Sequence, residues 1–96
     1  MSKEVCVLKL TNGDEIVAYT TEQLDGSCVC SKIRSMQVVP TKSGPQAALV
    51  PWMVATPDVD VTFRKDQYFV LTSAPKEVED YYLEITSSIK IASSLN

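Results

Sequence analysis

The side chains of this sequence that are best suited to chemistry are its three cysteines. Cys28 and Cys30 stand two residues apart, and Cys6 is distant along the chain. On a β-strand, residues i and i+2 point to the same face, so the close pair predicts two thiols side by side. A zinc site would need further ligands, and the sequence contains no histidine. We therefore expect no metal and no cofactor, and we interpret the cysteines as small buried hydrophobic residues in a reduced, cytoplasmic protein.

Catalytic groups are also missing from the pattern of residues. Without histidine the usual general base is absent, and no Ser or Cys stands where a neighbour would activate it. Asp58 and Asp60 lie two residues apart, which suits a weak cation contact or, more simply, a turn. The three glycines lie in separate turns, so there is no phosphate-binding loop. The sequence predicts a protein that is not an enzyme and has no small-molecule substrate.

The charge of the chain argues against a general coat for nucleic acids. The net charge is -3 over 96 residues, whereas such coats present many Lys and Arg residues to phosphates. The basic residues are unevenly distributed, because Lys32, Arg34 and Lys42 lie in a stretch without acidic residues. Lys32 and Arg34 would share one face of a strand, either as a solvated edge or as a basic rim.

These residues are positioned by a predicted series of five antiparallel strands. Asn12-Gly13 between two alternating apolar segments predicts a hairpin, because both residues accept a positive φ. Alternation and turn residues delimit the other strands. The predicted strands are residues 5–10, 15–21, 28–39, 46–56 and 61–72. The expected fold class is mainly β.

A C-terminal helix is predicted at about residues 74–91. Ser73 is a suitable N-cap, and Pro75 fits the first turn. Apolar residues then recur at helical spacing, at Val78, Tyr82, Ile85 and Ile89. We expect this apolar face to pack on the sheet, so that residues 1–96 form a single domain.

The predicted fourth strand indicates self-association. Gln46 to Thr56 carries no charge and is rich in apolar residues. Pro51 within it cannot donate to a β-ladder, which predicts an edge strand or a bulge. An apolar edge on a small domain promotes aggregation unless another chain covers it. We therefore expect a homo-oligomer.

Two segments resemble the motifs of the Sm-like (LSm/Hfq-type) family. Leu8 to Ile16, with Gly13 in a small-residue turn, resembles the opening of the Sm1 motif. Val61 to Leu71, with a basic turn between two apolar strands, resembles the Sm2 motif. The resemblance covers about residues 5–72 and is closest to short phage-encoded or marine-environmental Sm-like proteins. Sm proteins usually carry their helix before the first strand, whereas the helix predicted here follows the last.

The resemblance implies both a fold and an assembly. The family fold is a strongly bent five-stranded antiparallel sheet that closes into a small barrel of SH3 type. The fourth and fifth strands of neighbouring subunits pair, and the rings contain five to seven subunits. By this resemblance the subunit interface consists of Leu49, Val50, Trp52, Val54, Phe69 and Val70.

The resemblance also implies a binding site for single-stranded, U-rich RNA. Asp25, in the turn Asp25-Gly26-Ser27, stands where the family has the acidic residue of its uridine pocket, but the family's Asn is missing. Arg64 stands at the family's Arg-Gly turn, with Lys65 in place of Gly. Arg64 would stack on a base and Lys65 would hold a phosphate. The alternative interpretation of both segments is plain solvated turns.

Three hypotheses follow from the sequence. The first is an Sm-like homo-oligomeric ring that binds single-stranded RNA or serves as a scaffold in RNA processing. The second is the same ring as a structural or protein-interaction module without RNA binding, which the missing Asn and Gly favour. The third is a monomeric adaptor with an SH3-like barrel. No apolar run approaches the length of a transmembrane helix, so no membrane association is expected.

Overall fold

The computed structural model describes residues 4–87 and is mainly β, as predicted. An antiparallel sheet is followed by one short helix, which confirms the predicted fold class. The end of the predicted helix, including Ile89, lies outside the described residues. The elements are β1 (Glu4–Leu10), β2 (Glu15–Glu22), β3 (Cys28–Thr41), β4 (Gly44–Pro51), β5 (Val61–Phe63), β6 (Tyr68–Ser73) and α1 (Lys76–Thr86).

The sheet has the strand order β4-β3-β2-β1-β6, and β5 pairs with the first residues of β3. This order leaves β4 and β6 at the two ends of the sheet. Within residues 4–87 the strands do not close into a barrel, so the prediction of a closed small barrel is wrong. The physical reason is the brevity of β5, whose three residues pair with β3 alone and do not bridge the two ends.

The two last predicted strands differ from those in the structure. The segment predicted as one strand at residues 61–72 is divided by a turn, in which the backbone N–H of Gln67 donates to the carbonyl of Arg64 at 2.9 Å. The edge strand predicted at residues 46–56 begins earlier, at Gly44, and ends at Pro51. Pro51 therefore ends an edge strand, because proline has no N–H to continue the ladder.

The predicted hairpin between β1 and β2 is confirmed, but its turn has a different geometry. The turn spans four residues and is closed by the N–H of Leu10, which donates to the carbonyl of Asp14 at 2.8 Å. Only Gly13 has a positive φ, of +100°. The Asn12 side chain instead accepts the N–H of Asp14 at 2.9 Å, as is typical of an Asx turn.

Apolar side chains are buried on both faces of the sheet. On one face lies the inner cluster, with Trp52, Tyr68 and Leu71 packed against its buried members. Those members are Cys6, Leu8, Leu10, Ile16, Ala18, Cys28, Cys30, Ile33 and Phe63. On the other face lies the outer cluster, which α1 covers. Its buried members are Val5, Val17, Leu49 and Tyr82. The predicted burial of all three cysteines is thus confirmed.

Tyr82 anchors the helix to the sheet, as expected from its place on the apolar face. Its hydroxyl donates to the carbonyl of Lys32 at 2.8 Å and accepts the N–H of Tyr19 at 3.2 Å. Both backbone groups lie at a bulge in β3, where its register against β2 shifts between Val17 and Tyr19 and Lys32 has φ +52°. A bulge leaves residues unpaired in the ladder. The Tyr82 ring is completely buried.

The same bulge places Lys32 and Arg34 differently from the prediction. Lys32 reaches the end of α1, where its Nζ donates to the carbonyl of Thr86 at 3.3 Å. Arg34 is buried; its guanidinium donates to the carbonyl of Pro57 at 2.9 Å and pairs with Asp58 at 3.2 Å. Neither the solvated edge nor the basic rim is correct, because both cations bind groups within the chain.

The start of α1 also differs from the prediction. The structure places Pro75 at the N-cap position, and no side chain caps the helix. The hydroxyl of Ser73 instead donates to the carboxylate of Glu4 on the neighbouring strand. Ser73 is therefore the last residue of β6, held in the ladder opposite Cys6.

Candidate nucleic-acid interface

The Asp25 turn connects β2 to β3 and is held by the Asp25 side chain. One carboxylate oxygen of Asp25 accepts both the backbone N–H of Ser27 at 2.9 Å and its hydroxyl at 2.6 Å. The N–H of Gly26 donates to the carbonyl of Gln23, and Gly26 has φ +88°. This conformation suits glycine because it lacks a Cβ. These bonds, with the hydroxyl of Ser27 as the first cause, lower the pKa of Asp25 below its usual value of 3.8.

The Arg64 turn connects β5 to β6 and presents two cationic side chains. The Gln67 side chain accepts the backbone N–H of Arg64 at 2.9 Å, which closes the turn. Arg64 also forms an exposed ion pair with Asp66 at 3.2 Å. Lys65 and Arg64 are both exposed to solvent.

The fold brings these two predicted turns together. Cys28 pairs with Phe63, so the turn before β3 and the turn after β5 end at the same place. The stem of Lys65 lies on Gly26, where an added Cβ would be 2.9 Å from its Cδ. The resulting cleft has a volume of about 350 Å³ and is lined by Asp25, Ser27, Arg64, Lys65 and Asp66. Four of the five residues predicted to bind RNA line this cleft, and the fifth, Gly26, contacts the stem of Lys65.

The charges of the cleft are balanced. Two cations, Arg64 and Lys65, face two carboxylates, Asp25 and Asp66. Lys65 is near enough to Asp25 to contribute to the lowering of its pKa. Because a phosphate would meet as much negative as positive charge, electrostatic attraction of a polyanion to a single cleft is weak. Among the described residues that line the cleft there is no aromatic ring, so Arg64 is the group that can stack on a base.

Tyr68 is a residue of this region that the sequence did not nominate. Its hydroxyl donates to the carbonyl of Gly26 at 2.6 Å and accepts the thiol of Cys28 at 3.4 Å. The Cys28 thiol is the first cause that raises the pKa of Tyr68, to about 12. Tyr68 therefore links the start of β6 to the Asp25 turn through the carbonyl of Gly26. Its place in an alternating apolar strand gave no sign of this polar contact.

The six predicted interface residues divide into two groups in the structure. Val50, Val54, Phe69 and Val70 are exposed, and Val54 reaches 86% exposure. Leu49 and Trp52 have partners within the chain: Leu49 belongs to the outer cluster, and Trp52 packs on Phe63 with 5.5 Å between ring centroids. The Trp52 indole also donates to the carboxylate of Asp14 at 3.0 Å. The other four side chains face solvent.

The cysteine pair has the environment of a core rather than of a reactive site. Burial is the first cause that raises the pKa of Cys30, to about 11, and it also raises the pKa of Cys6. A thiol that stays protonated is a poor nucleophile and a poor metal ligand. Among residues 4–87 no group of three or more Cys, Asp or Glu side chains is arranged to hold a metal ion.

Comparison with protein families and with curated proteins gives no match. The resemblance to the Sm-like family therefore stays a prediction, carried by the residues quoted above. No helix within residues 4–87 is long and apolar enough to cross a membrane.

Proposed function

We propose that this protein assembles into an Sm-like homo-oligomeric ring that binds single-stranded RNA on one face. The observation that carries the proposal is the pair of open sheet ends. β4 and β6 are the terminal strands of one antiparallel sheet, and each carries exposed apolar residues. Open strand edges pair with other chains unless they are protected. Pairing of β4 with β6 of the next subunit would continue the sheet from chain to chain.

A head-to-tail contact of this kind favours a closed ring. The two surfaces are different, so each subunit offers one to each neighbour, and the arrangement closes if the rotation between subunits allows it. The exposed side chains near these ends are Val50 in β4 and Val54 in the segment after it on one side, and Phe69 and Val70 in β6 on the other. A ring of five to seven subunits is the expected assembly.

The proposed RNA contact is the cleft between the Asp25 turn and the Arg64 turn. Support comes from its position, since two turns distant in the chain meet with exposed cationic groups. One cleft is weak because its charges balance, but a ring would repeat it. Linked weak sites bind together through their high effective concentration, which raises overall affinity by orders of magnitude. Arg64 would stack on a base while Lys65 contacts a phosphate.

A second candidate function is a ring that binds no RNA and serves as a structural or protein-interaction module. The ion pair between Arg64 and Asp66 favours it, because this carboxylate already occupies the cation that would contact RNA. The net charge of -3 per chain also opposes binding of a polyanion.

Light scattering after size exclusion tests the assembly. We expect wild-type protein to have the mass of five to seven chains. Val54→Lys should shift the mass toward the monomer, because a charge would then be buried against an apolar strand. Leu24→Lys is the matched control, since Leu24 is fully exposed in the turn after β2. A monomeric wild type would contradict the ring.

Binding of a fluorescent oligo-U probe distinguishes the two candidate functions. Arg64→Ala with Lys65→Ala should leave the mass unchanged and weaken binding at least about 10-fold. Asp66→Asn should strengthen binding, because it frees Arg64 from its carboxylate. Lys42→Ala, in the exposed turn between β3 and β4, is the control. No binding by any of these proteins would favour the second candidate.

A further inference from the structure

An aromatic side chain projects from the edge strand β6 at a bulge. Lys9 pairs with Val70 and Leu10 with Tyr68, so Phe69 is an extra residue without a partner on β1. Tyr68 and Leu71 both pack against the inner cluster. The two residues between them, Phe69 and Val70, therefore lie together toward the outer face, as two residues of a bulge opposite one do.

This projecting group is apolar and has a cation beside it. Phe69 is 65% exposed and Val70 is 40% exposed. Lys9 is opposite Val70 and lies on the same outer face, because its neighbours Leu8 and Leu10 belong to the inner cluster. An exposed Phe at a strand edge is unusual for a soluble domain unless a partner covers it.

An apolar groove lies on the same face at the opposite end of the sheet. It runs between β4 and α1, with a volume of about 120 Å³. It is lined by the apolar residues Met36, Ala47, Ala48, Leu49, Val78 and Tyr81 and by one carboxylate, Glu77. Leu49 and Val78 belong to the outer cluster, which places the groove on the outer face.

The two features are complementary in size and in charge. An apolar cavity of about 150 Å³ accepts a benzene molecule, so a groove of this size accepts most of one phenyl ring. The cation beside the aromatic residue is Lys9, and the carboxylate that lines the groove is Glu77. When β6 of one subunit continues the sheet beside β4 of another, the strands are about 5 Å apart and their outer faces are continuous. Phe69 would then lie next to Ala47 and Leu49.

We infer that Phe69 of one copy of this chain inserts into the groove between β4 and α1 of the next copy, with Lys9 facing Glu77. The inference rests on the proposed ring and deepens it, since it names the side chain that determines which edges meet. It also gives the C-terminal helix a role, because α1 forms one wall of the groove. A β4 edge without this helix would offer no such pocket.

A mixing experiment with two variants tests the insertion. Phe69→Ser removes the inserted group and keeps the groove, whereas Ala47→Trp fills the groove and keeps the inserted group. Each variant alone should dissociate at protein concentrations at least about 30-fold higher than wild type, as for a central interface residue. Mixed together, they retain one intact contact per pair, so light scattering should detect a dimer and no ring. Circular dichroism checks that both variants fold.

A charge exchange supplies the second measurement. Lys9→Glu and Glu77→Lys should each weaken assembly, and the double variant should restore it at least in part, because opposite charges would face each other again. Lys76→Glu, adjacent in sequence to Glu77 and outside the groove, is the control for a changed charge on α1. Restoration by the double variant supports the inference, and additive weakening overturns it.

The failure of this inference differs from the failure of the ring. If wild-type protein is an oligomer and Phe69→Ser dissociates at the same protein concentration as wild type, the ring stands and the insertion is wrong. If the mixture of Phe69→Ser and Ala47→Trp gives no dimer while each variant is folded and monomeric, the insertion is also wrong. If wild-type protein is a monomer at all concentrations, both are wrong.

Discussion

Two tyrosines of this protein place a hydroxyl on the backbone of a neighbouring segment, and the comparison shows how differently the same contact is used. Tyr82 is completely buried and binds groups of two strands at the bulge in β3. Tyr68 is half-buried and binds the carbonyl of Gly26 in the Asp25 turn. The first contact holds the helix on the sheet, whereas the second positions a turn of the candidate site.

The difference lies in what else could satisfy the backbone groups. At the bulge, the Tyr19 N–H and the Lys32 carbonyl both bond to the buried hydroxyl of Tyr82, so losing that hydroxyl removes a partner from each of them. The carbonyl of Gly26 lies in a surface turn, where water can replace Tyr68. Loss of the Tyr82 hydroxyl should therefore destabilise the fold, whereas loss of the Tyr68 hydroxyl should affect only the turn it contacts.

The largest effect is expected from Tyr82→Ala. It removes a buried aromatic ring and two hydrogen bonds to backbone, and should lower the free energy of unfolding by about 3–5 kcal/mol. Tyr82→Phe keeps the ring and should cost about 1–2 kcal/mol. Tyr81→Ala, at the exposed neighbouring position, is the control and should cost less than about 1 kcal/mol. Urea unfolding measures all three, and equal losses at positions 81 and 82 would contradict the special role of Tyr82.

At alkaline pH the two tyrosines should contribute differently to the free energy of unfolding, although this effect is smaller than that of Tyr82→Ala. Burial raises the pKa of Tyr82 above 10.0, and the Cys28 thiol contributes most to raising that of Tyr68, to about 12. Unfolded tyrosine ionises near pH 10, so the stabilisation from each neutral hydroxyl is complete below that pH. It is lost as the pH rises toward the folded-state pKa, by about 1.4 kcal/mol per pH unit for the buried Tyr82.

Urea unfolding between about pH 9 and about pH 12 measures this loss. We expect Tyr82→Phe to flatten the decline in unfolding free energy more than Tyr68→Phe does, because Tyr68 is partly solvated. The Cys30 thiol also has a raised pKa, and both variants retain it. Its ionisation therefore lowers the unfolding free energy equally in the two variants. A decline that neither substitution changes would show that other groups govern the alkaline transition.

The smallest effect is expected from Tyr68→Phe at neutral pH. Loss of the hydrogen bond to Gly26 should cost about 1 kcal/mol, because water partly replaces it. The effect should be local: hydrogen exchange at the amides of Gly26 and Ser27 should become faster, while the amide of Tyr19 keeps its protection. Tyr81→Phe provides the control. Uniformly faster exchange would mean that Tyr68 supports the whole fold instead of the turn.

Much of the fold was predictable because its signals are local. Alternation of apolar residues located the strands, and Asn12-Gly13 located the first hairpin, since Gly accepts a positive φ and an Asn side chain bonds the backbone of a turn. Pro51 indicated an edge strand because it lacks an N–H. The helical spacing of Val78 and Tyr82 identified the face of α1 that packs on the sheet.

Other features had no local signal. A positive φ is rare for a lysine, so nothing in the sequence marked Lys32 as the centre of a bulge. Arg34 looked like a surface cation, yet its partner Asp58 is brought to it by the segment after β4. The resemblance indicated the basic turn within residues 61–72, but not that the two halves pair with different strands, because the apolar pattern is the same whether a strand pairs with β3 or with β1.

The sequence by itself determined the mainly β fold, the turns, the edge strand and the buried cysteines, because each depends on the conformational preferences of a few adjacent residues. Only the tertiary structure decided that the sheet stays open, that the Asp25 and Arg64 turns meet in one charge-balanced cleft, and that Phe69 and the groove beside α1 share a face. Those arrangements depend on which strands pair across long stretches of chain. That choice is made by the packing of both faces of the sheet together and not by any single segment.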